Sequence, residues 1–263
     1  MAQWRKDSQQ YLNNGTTIFE VNMLADKDGN IINSFGAAAN IPIANGDVEG
    51  YKSVNKFGLV DGTSTNPTTI WTGNSLYTWQ TEANTVSANS FAGQTQTITV
   101  QGLDENYAEA EEDIVLTEAT ETAETSQKFI RLHRAFIKTG DTNTANVNIN
   151  HHSSDDLISQ ISAGYGQTLQ AFYTVPAGKT AYLSKFRVSS AKQQSAIVTL
   201  FVRPFGGAFR AQALISLYSG VGVTLFDTPL RITEKSDIEV RASTSQNNVL
   251  SSDFDMILLD NPA

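Results

Sequence analysis

Apolar positions along this chain recur mostly at a spacing of two, the period of a half-buried strand, and seldom at the three-and-four spacing of a helix face. From Thr95 to Val100, Ile98 and Val100 share one face while Thr97 and Thr99 share the other. Further on, Tyr182, Phe186 and Val188 alternate with Leu183, Lys185 and Arg187, and Ile238, Val240 and Ala242 alternate with Glu239 and Arg241. Ile197 to Val202 is apolar at almost every position, as expected of a strand covered on both faces. Ile114-Val115-Leu116, Phe129–Ile137 and Leu169–Val175 read as further strands, and Phe254–Leu259 as a last buried one. The acidic stretch Glu105–Glu124 has helix-favouring Glu and Ala. Its ends carry Thr and β-branched residues, so it reads as a hairpin of Thr97–Val100 against Asp113–Thr117.

Turn signals separate these runs. Asn13-Asn14-Gly15 lies between Tyr11-Leu12 and Thr17–Val21, and Asp26–Asn30 lies between Leu24-Ala25 and Ile31-Ile32, so two tight hairpins are expected there. Ser34–Ile43 has few core-sized side chains and a proline. It reads as extended chain lying on a surface, with Phe35, Ile41, Pro42 and Ile43 as its contact residues. The pattern therefore predicts an all-β protein: an extended N-terminal arm (1–45), a first β-sandwich (46–150) and a second (151–263). Each sandwich would be jelly-roll-like, and the polar stretch Gly140–Asp156 sets the boundary.

Composition narrows the function. With 263 residues the chain is long enough for a sizeable core. Charged residues make up 17% of it, below the roughly 25% of soluble domains, which suits subunit contacts. The net charge of -9 repels phosphate backbones, so no nucleic-acid partner is expected. The chain has no cysteine, which removes disulfides and thiol chemistry and fits a particle that crosses redox compartments. Met1–Asp7 lacks the apolar core of a signal peptide, and no run approaches the roughly 20 apolar residues of a membrane span. The expectation is synthesis in a cytoplasm and no membrane partner.

Candidate chemistry is sparse. Asp26–Asn30 resembles a calcium loop, but its twelfth position is Ala37 where an EF-hand needs Glu. His151-His152 with Asp155-Asp156 is the one cluster of metal-capable side chains, and adjacent residues of a strand point to opposite faces. No structural metal is expected. Gly164-Tyr165-Gly166 lacks the third glycine of a dinucleotide site, and no Gly-x-Ser-x-Gly elbow is present. No catalytic or cofactor-binding residue is assigned and no cofactor is expected. Trp71, Tyr77 and Trp79 stand close together. Two readings are open for them: core or subunit contact, or a platform on which a sugar ring stacks.

Several segments carry a family resemblance. Tyr11–Asn13, Ile18–Asn22, Ala25–Asn30, Gly50–Gly58, Thr68–Trp71, Thr97–Asp104, Arg131–Phe136, Gly166–Leu169, Tyr173–Gly178, Phe201–Gly206 and Glu234–Glu239 are similar to virion structural proteins of tailed phages, those of cyanophage-like marine phages. The resemblance covers most of the chain and brings no catalytic residues with it. It implies a non-enzymatic virion component made in the host cytoplasm, with the major capsid, portal, neck or tail proteins as partners. Head decoration or an appendage is the first placement, and a neck or tail accessory the second. A module binding host-surface glycan through Trp71–Trp79 is the alternative of another class. Two sandwiches also leave sheet edges that 18 Lys and Arg together and 6 Pro can blunt only sparsely. A homo-oligomer, with a trimer as the first choice, is therefore expected.

Overall fold

The computed structural model describes residues 10–13, 18–21, 24–25, 31–32, 40–90, 95–116 and 124–262, the first four of these segments as backbone. Strand β1 (Gln10–Asn13) pairs with β2 (Ile18–Val21), and β3 (Leu24–Ala25) with β4 (Ile31–Ile32), so both hairpins read from their turn signals are present. The expected extended path to Ile43 is corrected at its end. Asn40–Asn45 form one helical turn, α1. Pro42 sits in the first turn, where its missing N–H costs nothing. Gly46 ends the turn with φ of 78°, its N–H donating to the carbonyl of Ile43 at 3.1 Å. Phe35 lies outside the described residues; Ile41 is 60% exposed.

Among the described residues fifteen strands follow: β5 (Tyr51–Asp61), β6 (Thr68–Thr69), β7 (Val86–Asn89), β8 (Thr97–Leu103), β9 (Glu109–Val115), β10 (Arg131–Thr139), β11 (Val147–His151), β12 (Leu157–Ile161), β13 (Phe172–Thr174), β14 (Lys179–Ser190), β15 (Ala196–Arg203), β16 (Arg210–Leu217), β17 (Gly220–Ile232), β18 (Asp237–Thr244) and β19 (Val249–Asp260). Every ladder among them is antiparallel. The protein is all-β, built as two β-sandwich lobes. The larger lobe faces the sheet β17-β14-β19-β5 with the sheet β13-β18-β15-β16, on which β6 also pairs. Between them lie Leu183, Phe186, Leu200, Val240, Phe254 and Met256. The smaller lobe faces β10-β8-β9 with β12-β11-β7 and packs Ile98, Val100, Phe129, Leu132, Ile149 and Ile161.

The lobes do not divide the chain at residue 150. They are nested: the larger takes the chain before β7 and after β12, and the smaller is the excursion between. Strand β5 sits beside β19 through eleven partners, from Val249↔Asp61 to Leu259↔Tyr51. Across the expected boundary, β12 stays with β11. Gly58 permits the closure: a Cβ there would lie 2.3 Å from the Ile70 carbonyl oxygen and 2.4 Å from the Ala171 nitrogen. Ala171 N–H donates to that same carbonyl at 2.9 Å, where the chain leaves the larger lobe and returns to it.

The hairpin expected over 97–117 is observed as β8 and β9, with Thr99 opposite Asp113. The expectation of two covered faces for Ile197–Val202 holds in full on one side and in part on the other. Val198 and Leu200 enter the core. On the opposite face Thr199 is buried and the Arg241 guanidinium lies 4.9 Å from the centre of the Phe201 ring, whereas Ile197 is 48% exposed. Among the described residues, no helix is long and apolar enough to cross a membrane.

Candidate functional site

The densest polar chemistry lies where the two lobes meet. Arg131 opens β10 of the smaller lobe and Asp237 opens β18 of the larger, because the end of each strand faces the junction. Arg131 donates through Nε to Asp237 Oδ1 at 3.0 Å and through Nη2 to Oδ2 at 3.4 Å. Arg203, at the end of β15, donates twice to the same Oδ2, at 2.9 and 2.6 Å, and Thr174 donates its hydroxyl to Oδ1 at 2.6 Å. Both Arg131 and Asp237 are buried. Two guanidinium groups on one carboxylate offset the desolvation that a single buried ion would suffer.

Aromatic rings fill the space beside these charges. Trp79 lies between the guanidinium groups of Arg131, 5.0 Å from its ring centre, and Arg203, 5.2 Å away. Tyr77 meets Trp71 edge-on at 5.3 Å and Phe172 at 4.1 Å. Burial pushes the Tyr77 phenol above its ordinary range. Glu239, fully buried, accepts from the Trp79 indole N–H and from Arg241, each at 2.8 Å, and from the Thr69 hydroxyl.

The structure thus brings Trp71, Tyr77 and Trp79 together, as their spacing suggested, but inside the chain. Trp71 is 2% exposed and Tyr77 5%. The Trp79 ring has arginines close to it. A sugar needs an open ring face, and neither Trp71 nor Tyr77 offers one.

Beside this clasp is a cleft of about 360 Å³, walled by β5, β8, β9, β10 and β13. Lys52 and Glu109 form an ion pair from one lobe to the other at its rim, at 2.5 Å. Deeper, a β-bulge between Leu132 and Arg134 leaves Leu132 and His133 buried in succession. The His133 ring lies 4.1 Å from that of Tyr173, and its Nε2 accepts the Thr174 N–H at 3.3 Å. Burial, then the nearby Lys56 and Arg131, hold the imidazole well below its ordinary pKa, so it stays neutral and able to accept. Lys56 points inward from β5 and donates to the His133 carbonyl. Burial, with Arg134 acting in the same direction, lowers its pKa from 10.5 to about 7. Burial also pushes the Tyr173 phenol upward.

The remaining candidates separate. His151 is buried, with Nε2 3.4 Å from the Glu82 carbonyl, while His152 is exposed and pairs with Glu124 at 3.5 Å. His151 ends β11 and His152 opens the turn after it, so one ring is buried and the other is exposed. The Asp26–Asn30 loop lies outside the described residues. Sequence reading missed Lys56, His133, Arg131, Asp237 and Glu239 as a group. The usable signal was Glu239 and Arg241 inside an otherwise apolar strand: charges there are either outward or buried in pairs, and here they are paired.

No protein-family model matches the chain. No curated protein matches it either. Among solved structures it is similar to the infectious bursal disease virus structure of the Gx strain, at 11% identity with a TM-score of 0.23, covering 81% of this chain and 76% of that one. It is also similar to the VP2 subviral particle of that virus, at 7% identity with a TM-score of 0.20, covering 82% and 77%. Scores this low do not define a common fold.

Proposed function

We propose that the chain is a non-enzymatic structural subunit of a virion, acting through contacts with neighbouring subunits. The junction is the observation that carries this reading. Asp237 and Glu239 are bonded to cations, hydroxyls and an indole of the chain itself, so the densest polar cluster works as a clasp that holds two lobes in one orientation. Meanwhile large apolar side chains stand exposed on β15, β16 and β17, including Ile197, Leu214, Val221, Val223 and Leu225. A rigid block with apolar outer strands suits assembly. The family resemblance of the segments from Ile18 to Glu239 supports a tailed-phage particle. Head decoration or an appendage is the first placement, a neck or tail accessory the second. Residues 1–45 contribute a contact arm. Its hairpins β1–β2 and β3–β4 pair only within themselves among the described residues, and an isolated two-stranded hairpin needs a surface to rest on. Mass spectrometry of gradient-purified particles tests the reading. The chain should be present at a stoichiometric, reproducible level; its absence from purified particles would overturn the proposal.

A further inference from the structure

Strand β17 is the edge of the four-stranded sheet of the larger lobe. One side pairs with β14, and among the described residues no strand pairs with the other. Soluble proteins usually blunt such an edge with lysine, proline or inward charge. From Gly220 to Phe226 this one carries none of them; the first charge is Asp227 and the first proline Pro229. Val221, Val223 and Leu225 point outward along it, 70%, 52% and 66% exposed.

The surface beside this apolar row is charge-neutral. Leu225 lies next to Lys185 and Val223 next to Arg187 on β14. Those two cations are already paired with Asp255, at 2.9 Å, and Asp253, at 2.7 Å, on β19. In a chain of net charge -9, two copies can meet on such a patch without the repulsion that the chain's net charge brings. The row is also self-complementary. If two β17 strands run antiparallel about Val223, Val223 faces its own copy and Val221 faces Leu225 at both ends, so apolar meets apolar at every outward position.

We propose that β17 is the self-association edge of this protein: residues 220–226 of two copies pair antiparallel, joining two four-stranded sheets across a two-fold axis. This rests on the subunit reading above and names one of its contacts. It departs from the expected trimer, because a three-fold ring needs two different patches meeting head to tail, whereas this edge matches itself.

Sedimentation velocity of the full chain across the micromolar range tests it. A species of twice the 28.6 kDa monomer mass should form with rising concentration. Val223→Lys, which sets two cations against each other at the axis, should leave only monomer, while its circular dichroism, and its melting temperature at a dilution where the parent is also monomeric, stay those of the parent. Because the chain has no cysteine, Val223→Cys gives a single reporter thiol. A short bis-maleimide should link it to its own copy many-fold faster than it links Ile197→Cys on the opposite sheet. A parent that stays monomeric, an oligomer that survives Val223→Lys, or equal linking of the two thiols would each overturn the proposal. Dimers formed this way by a chain absent from particles would leave the edge standing and remove the virion reading.

Discussion

Lys56→Met should make the protein more stable at neutral pH and flatten its pH dependence. Lys56 sits within the lobe junction with a backbone carbonyl as its partner and Arg134 nearby. The drop of its pKa from 10.5 to about 7 means that the unfolded chain holds this proton at a pH where the folded chain has lost it. Between those values the unfolded state binds more protons, so the contribution of Lys56 to stability falls as pH falls through the window and itself levels off below pH 7. At about 1.4 kcal/mol for each pH unit, the full span comes to on the order of 5 kcal/mol. The variant gives up the bond to the His133 carbonyl, at a cost of about 1 kcal/mol. The net expectation at pH 7 is a gain of a few kcal/mol, similar to the gain of about 1–4 kcal/mol when a buried ion pair gives way to well-packed apolar side chains. Urea unfolding of both proteins, at several values from pH 7 to 10.5, checks this. Parent stability should climb with pH toward that of the variant, at unchanged denaturant slope. Parallel pH profiles for the two proteins would show that Lys56 keeps its proton in the folded state, and the reasoning would be wrong.

Asp237→Ala should cost about 3–5 kcal/mol, because Arg131 and Arg203 would lose their shared buried carboxylate, and its urea midpoint should fall accordingly. Gly58→Ala should cost at least about 3 kcal/mol, since its methyl group would meet backbone atoms of Ile70 and Ala171; an unchanged melting temperature would disprove the close crossing. His133 should remain neutral in the folded protein well below pH 6.5, while the unfolded chain protonates there. Stability should therefore drop further as pH falls below 6.5, and the proton resonances of the His133 ring should not titrate until unfolding. Deleting residues 1–40 should leave a folded protein that fails to enter particles; normal incorporation would refute the arm.

Local structure was legible in this sequence, and long-range partnership was not. The alternation of Thr97–Val100 and the Thr and β-branched residues of Asp113–Thr117 were enough to place β8 against β9. The glycine and asparagine turns did the same for β1–β2 and β3–β4. Nothing in the alternation of β5 says that its neighbour is β19, about 200 residues onward, because any strand with one buried face satisfies the same pattern. That gap moved the domain boundary, since a cut through Gly140–Asp156 assumes that strands pair with sequence neighbours. The clasp was hidden for the same reason. Arg131 and Asp237 each look like surface charges until the fold brings them to 3.0 Å. The aromatic trio showed its own proximity in sequence, but its burial depended on Phe172 and on arginines from two other strands.

An electron cryomicroscopy map of the intact particle tests the central claim most directly. The account predicts a discrete density into which both lobes fit as one rigid body, repeated by the particle's symmetry, with residues 1–45 reaching a neighbouring subunit. A map in which every symmetric density belongs to other chains, with no place for these nested lobes, would contradict it.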